Sequence, residues 1–263
     1  MDIRSKLSRV KCFLLDMDGT FYLGSRLIDG SLDFLSALHD TGRRCLFLTN
    51  NSSKSASFYK EKLEKMGVPE EFRNVLTSGQ AAARYVVSRY PVKKAFLLAN
   101  AIETEEMKAL GVPVDQERPD YVLIAFDTEL DYRKMTLLCD HVRAGLPYIA
   151  THPDFNCPTE TGFIPDIGAT IAYVKASTGR EPDLIIGKPY SGIVEETLRV
   201  TGLQKEEMAM VGDRLYTDIA TGVNFGMCSI LVMSGETTAE MAAESPIKPD
   251  LTFGRLSDMI EYL

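Results

Sequence analysis

The chain has 263 residues, with 37 acidic against 29 basic and a formal net charge of −8. This surplus of acid opposes any nonspecific hold on nucleic acid, whose affinity comes largely from Lys and Arg neutralising phosphates, and no apolar run approaches the roughly 18 residues a membrane span needs. With 45% hydrophobic and 25% charged residues the composition is that of a globular protein with a real core.

No apolar leader follows Met1, so a cytoplasmic location is the simplest expectation. The five cysteines (Cys12, Cys45, Cys139, Cys157 and Cys228) are odd in number and never spaced CxxC, which argues against a disulfide framework or a structural zinc site.

In chain order, residues 12–16 (CFLLD) form a continuous apolar run that ends at a turn signal, the pattern of a parallel strand buried on both faces. Residues 45–49 (CLFLT) repeat it. Phe58, Tyr59, Leu63 and Met66 then fall at helical spacing with Gly67 placed to cap, which predicts a helix over 54–66. A middle set follows: a helix near 79–89, strands at 95–98 and 121–126, a helix at 133–144 and a strand at 148–150. Ile193, Val194 and Leu198 with Gly202 mark another helix, and the runs at 208–212 and 229–233 are two further strands. Strands alternating with helices of this length predict an α/β protein with a doubly wound, Rossmann-like parallel sheet. The middle set reads as a second α/β domain, residues 79–182, inserted in a discontinuous core of 1–78 and 183–263.

Ligands of an open parallel sheet bind beyond the carboxyl ends of its strands. The first strand leads into Asp16, Met17, Asp18 and Gly19, the second into Thr49, Asn50 and Asn51, and the 208–212 run into Asp213, Arg214 and Asp218. Lys188, in IIGKPY before a predicted helix, is placed to add positive charge. Crowded carboxylates repel one another unless a cation neutralises them, and an all-oxygen set suits Mg²⁺. A carboxylate held there could attack phosphorus directly, with a second one two residues away handling the proton. The EF-hand reading of DxDG fails, because the twelfth position from Asp16 is Leu27 where a bidentate Glu is needed. No GxGxxG or GxxxxGK[ST] phosphate cradle is present.

DMDGT, LTNNS, GKP and VGDRLYTD, in this order, resemble the four motifs of the haloacid dehalogenase superfamily of phosphatases, and DMDGTFYLG with TNNS resembles its p-nitrophenyl-phosphatase-like, or NagD-like, branch. The resemblance implies that Asp16 is the nucleophile and a metal ligand, and that Asp18 is the acid/base and lends its backbone carbonyl to Mg²⁺. It further implies that Thr49, Asn50 and Lys188 hold the phosphoryl group and Asp213 binds the metal. Asp218 would hold metal-bound water or orient Lys188, with Asn51 and Arg214 in supporting places. The partner implied is a small phosphorylated metabolite, for instance a nucleoside monophosphate, sugar phosphate or phosphoglycolate, and a homo-oligomer is left open. A phosphotransferase or mutase sharing the aspartyl phosphate, and a silent binding protein on the same fold, are the alternatives.

His39 and His141 read as surface or packing residues, while His152, after a cap strand, reads as a substrate contact. Pro153, Pro158 and Pro165 with Gly162 and Gly168 make residues 150–169 a long, stiffened surface loop. In the branch resembled, a Pro-Gly pair often stands where Pro165 and Asp166 stand here. His152, Asp154, Asn156 and Asp166 are therefore expected to tune substrate choice, with capping of the next helix as the other reading of Asp166.

Overall fold

Every residue of the Cys12–Leu15 strand is buried, as a strand covered on both faces must be. In the computed structural model, which describes residues 2–159 and 161–263, this strand lies inside a six-stranded sheet. The order is Leu251–Phe253, Cys228–Val232, Met208–Gly212, Cys12–Leu15, Arg44–Thr49, Val75–Thr77. Cys12–Leu15 pairs in parallel with Met208–Val211 on one side and with Arg44–Phe47 on the other. The chain therefore leaves the first strand in one direction and resumes on its opposite flank. That reversal is the switch point at which doubly wound sheets open a crevice for ligands.

The core around this sheet follows from its apolar faces. Phe13, Leu15, Phe47, Val211 and Ile230 pack with Phe34, Leu35 and Leu38, the inward side of the Ser31–Asp40 helix. Phe13 meets Phe34 edge-on at 5.4 Å and Phe21 meets Phe47 at 4.9 Å, the favoured aromatic geometry.

By internal contacts the chain divides into two units. One is Met1–Thr49, Ser57–Leu76 and Val194–Leu263; the other is Asn50–Ala56 and Thr77–Ile193. The second has its own sheet, ordered Leu184–Ile185, Tyr148–Ala150, Tyr121–Ile124, Ala95–Leu98 and parallel throughout. Its helices Ser78–Arg89, Ala101–Ala109 and Tyr132–Arg143 begin at Thr77, Asn100 and Asp131, whose side chains accept the third following amide. The expected loop over 150–169 contains more structure than foreseen. Asn156–Thr159 and Gly162–Pro165 pair antiparallel, and a helix starts at Ile167. Pro158 and Pro165 are tolerated because both strands of a two-stranded ribbon are edges.

One buried acid in the second unit gives a pH prediction. Glu103 is 0% exposed, its carboxylate fills the space left by Gly79, and neither oxygen has a hydrogen-bond partner among the described residues. Burial, and then the neighbouring Glu106, raise its pKa well above the ordinary carboxyl value. A raised carboxyl pKa contributes stability that is complete below the unfolded value and is lost as pH rises through the folded one. Glu103→Gln should therefore raise Tm more at about pH 8 than at about pH 5 in thermal denaturation, since at the higher pH the unfolded chain releases the proton freely while the fold resists the charge. Equal shifts at both would show that Glu103 is ionised in the fold.

Candidate active site

Asp16 follows directly on the first strand, and its amide still bonds to Val211 O at 2.9 Å, so the sheet ladder fixes its main chain. Asp213 follows the adjacent Met208–Gly212 strand, and Asp218 lies in the wide π-helical turn Leu215–Ile219. One carboxylate oxygen from each of Asp16, Asp213 and Asp218 lies within 4.8 Å of the other two. Asp16 is half-buried, and Asp213 and Asp218 are buried.

The neighbours of Asp213 are closely set. Its Oδ2 accepts the Glu236 amide at 2.7 Å and its Oδ1 the Thr20 hydroxyl at 3.3 Å. Gly19 has φ +85°, and a Cβ there would stand 2.4 Å from Asp213 Oδ2. The glycine of DMDG is thus required by backbone conformation and by the approach of the second acid. Burial, and then the charge of Asp16, push the Asp213 carboxyl up to about 6. Burial works against the Arg214 charge, but Asp16, Tyr216, Glu236 and Asp218 outweigh it and hold its pKa above the ordinary value. Arg214 Nε lies 3.0 Å from Glu236 Oε2 as a charge contact without hydrogen-bond alignment, and its amide donates to Asp218 Oδ2 at 3.2 Å.

The donor set fits Mg²⁺. Opposite ligands of an octahedral Mg²⁺ stand about 4.2 Å apart and adjacent ones about 3 Å, so three hard oxygens within the observed span can share one ion. Two buried acids and a half-buried one, with a pKa pushed upward at Asp213 and the Arg214 guanidinium beside them, form a cluster of hard oxygens that a divalent cation suits.

Asp18 is not in this trio; Asp218, foreseen as a supporting group, is. The Asp18 side chain is half-buried and its pKa is raised. Burial is the main cause, Lys62 opposes it, Asp16 adds to it, and the Gly24 amide and Arg214 oppose it again. An upward shift favours the protonated form, which suits a proton donor. Lys62 also lies 3.7 Å over the Tyr22 ring. Sequence reading missed Lys62, and its only signal was a cation on the helix that follows TNNS.

Thr49 ends its strand in the first unit, whereas Asn50, the next residue, belongs to the second. There Asn50 Oδ1 accepts the Lys188 amide at 2.8 Å, and its Nδ2 donates to Lys188 O at 3.0 Å and to Asp154 at 3.2 Å. Lys188 is 2% exposed. Asn51 Oδ1 accepts from the Ser53 amide and hydroxyl, at 2.9 and 2.8 Å, and its Nδ2 points at Cys157 Sγ at 3.6 Å. Asn156 stands exposed on the hairpin.

Two expectations about substrate contact need correction. His152 is 0% exposed and has no surface to offer a ligand. Asp166, 5% exposed, accepts the Ile167 amide at 2.6 Å and caps the Ile167–Thr178 helix, so its carboxylate is used inside the fold.

A doubly wound sheet with carboxylates clustered at its switch point defines an α/β protein with a site suited to a cation and a phosphate ester. Residues 13–113 match the haloacid dehalogenase-like hydrolase family and residues 185–259 the HAD-hydrolase-like family. Over 258 residues the chain is 36% identical to an acid sugar phosphatase of Staphylococcus aureus, covering 98% of this chain and 99% of that one. A 4-nitrophenylphosphatase from Thermotoga maritima superimposes with a TM-score of 0.93 at 44% identity, over 97% of this chain and 98% of that one. A glycerol phosphate phosphatase from Mycobacterium tuberculosis, solved in complex with magnesium, gives 0.87 at 27% identity, over 97% and 77%. The chain belongs to the haloacid dehalogenase-like hydrolases, in their NagD-like phosphatase branch.

Addition of Mg²⁺ to metal-stripped protein should raise Tm, and Asp213→Asn should remove most of that increase, because an ion that binds only the native state stabilises it. Calorimetry or fluorescence melting measures this; an unchanged response in the variant would place the ion elsewhere.

Proposed function

We propose that the protein is a Mg²⁺-dependent phosphatase that hydrolyses a small phosphomonoester through a phosphorylated Asp16. The observation that carries this reading is the Asp16, Asp213 and Asp218 cluster, with Asp18 two residues away and its pKa raised. An Asp16 oxygen attacks phosphorus, the bond to the substrate oxygen breaks, and that oxygen takes the proton of Asp18. Asp18, now ionised, draws a proton from water, whose oxygen attacks the phosphorus of the aspartyl phosphate and frees Asp16 with inorganic phosphate. Mg²⁺ held by Asp16 and Asp213, with Asp218 beside them and the Asp18 main chain in the place the family gives it, would neutralise charge on the phosphoryl oxygens. Thr49, Asn50 and Lys188 hold that group in our reading, and Asn51 and Arg214 support them.

The relatives are named for sugar phosphates, 4-nitrophenyl phosphate and glycerol phosphate. A small phosphorylated metabolite with a neutral or hydroxylated body is the substrate class we infer. We also keep residues 79–182 as the cap that selects it.

Asp16→Asn should fold and bind substrate yet retain less than about 1% of turnover, since an amide is a poor nucleophile and a weak metal ligand. Phosphate release from 4-nitrophenyl phosphate measures this, and activity well above that level would remove Asp16 from the nucleophile's role. Ca²⁺ should support only a small fraction of the Mg²⁺ rate, because its looser shell of six to eight ligands leaves the attacking oxygen unaligned. Equal rates in a metal-exchange assay would contradict the site.

A further inference from the structure

His152 lies just beyond the Tyr148–Ala150 strand, fully buried, between the buried carboxylate of Asp166 and the partly buried one of Asp154, both in the same unit. Its Nδ1 is 3.6 Å from Asp154 Oδ2, and its Nε2 is 3.5 Å from Asp166 Oδ1. The Asp154 amide also points at Nδ1, at 3.4 Å. Each carboxylate has a second task. Asp166 caps the Ile167–Thr178 helix, whose Gly168 amide donates to Asp154 O at 2.8 Å. Asp154 presents both its oxygens to Asn50 Nδ2, at 3.3 and 3.2 Å.

The Asn50 carboxamide in turn grips the main chain of Lys188 from both sides, accepting its amide and donating to its carbonyl. With Asp154 as well, both amide hydrogens of Asn50 are used. The packing has no slack. A Cβ on Gly187 would come 2.6 Å from Asn50 Oδ1, 2.7 Å from Thr151 O and 3.0 Å from His152 Cβ. One continuous line of buried polar groups thus runs from the helix cap to the lysine.

We propose that His152 is a positioning residue: by holding Asp154 it sets the Asn50 carboxamide and, through it, the main chain of Lys188, without touching substrate. This rests on the reading that Asn50 and Lys188 hold the phosphoryl group. Nδ1 accepts the Asp154 amide, so the neutral ring keeps its hydrogen on Nε2, which faces Asp166. Without the ring the Asp154 amide loses this acceptor and Asp166 loses the facing N–H, and a buried polar group deprived of its partner turns toward water. Asp154 would then leave Asn50. A small displacement of a group that holds the reacting phosphoryl lowers the rate without changing which substrate fits.

The test compares His152→Leu, His152→Asn, Asp154→Asn and Asn50→Ala with the wild type under saturating Mg²⁺. Steady-state kinetics are measured on 4-nitrophenyl phosphate, glycerol phosphate and a hexose phosphate, with Tm as the check on folding. His152→Leu should lower kcat on all three by a similar factor, about 10- to 100-fold, while KM stays within about twofold and the ranking of substrates holds. His152→Asn, which keeps a donor, should recover most of that loss. If the leucine variant does not fold, the nearly isosteric Asp154→Asn carries the same expectation of a uniform fall in kcat. A changed ranking, or a rise in KM confined to one substrate, would overturn the proposal by making His152 a substrate contact. Near-normal kcat in the His152 and Asp154 variants beside a strongly impaired Asn50→Ala would also overturn it. Full activity in Asn50→Ala would instead refute the phosphate-holding reading on which the proposal depends.

Discussion

Negative charge gathered at one edge of a parallel sheet is the constraint on which the rest of this structure depends. Asp16 and Asp213 end adjacent strands, and Asp218 is turned back to meet them. Such a group is unfavourable by itself, because each buried acid raises the pKa of the next. At Asp213 burial is the main cause of the upward shift, and the Asp16 charge adds to it. The surroundings meet the difficulty with few groups: the Glu236 amide and Thr20 hydroxyl on Asp213, the Arg214 amide on Asp218, and the Arg214 guanidinium nearby. A hard divalent ion is the species that an all-carboxylate set of this size suits, and the function we propose rests on one binding here.

The same constraint accounts for local sequence that would otherwise look arbitrary. Gly19 is left-handed and in contact with Asp213, so DMDG must end in glycine. Asp18, two residues from Asp16, sits where burial and the Asp16 charge both raise its pKa while Lys62 limits the rise. The upward shift at Asp18 favours the proton-bearing form that the general acid of the mechanism we propose requires.

Much of the fold was legible because its central strands are short, wholly buried apolar runs, a pattern that needs no tertiary information. The Met208–Gly212 strand fell where expected, and Arg44–Thr49 and Cys228–Val232 differed by one residue at their ends. The three-residue edge strands Val75–Thr77 and Leu251–Phe253 and the two-residue Leu184–Ile185 carry too little pattern to be distinguished from loop. The hairpin at 156–165 was hidden by its prolines, which signal a loop unless both strands are edges. At the site, acids at strand ends could be read from the sequence. The full burial of His152 could not, and for Asp166 the sequence left helix capping and substrate contact both open, since a polar residue after a strand can face a ligand or a buried neighbour and only packing decides which. The division between Thr49 and Asn50, adjacent in LTNNS but in different units, was equally invisible, because it depends on contacts from Asp154 and Lys188 more than a hundred residues away.

The central claim is that Asp16 carries the phosphoryl group during turnover. Acid-quenched protein, sampled during the first turnover of 4-nitrophenyl phosphate with Mg²⁺ and the Asp18→Asn variant, can be digested and mapped by mass spectrometry. The account predicts a single hydroxylamine-labile phosphoryl group on the peptide containing Asp16, persisting because its hydrolysis lacks a base. Release of 4-nitrophenol in that first turnover with the Asp16 peptide unmodified, or with the phosphoryl group on another residue, would contradict it.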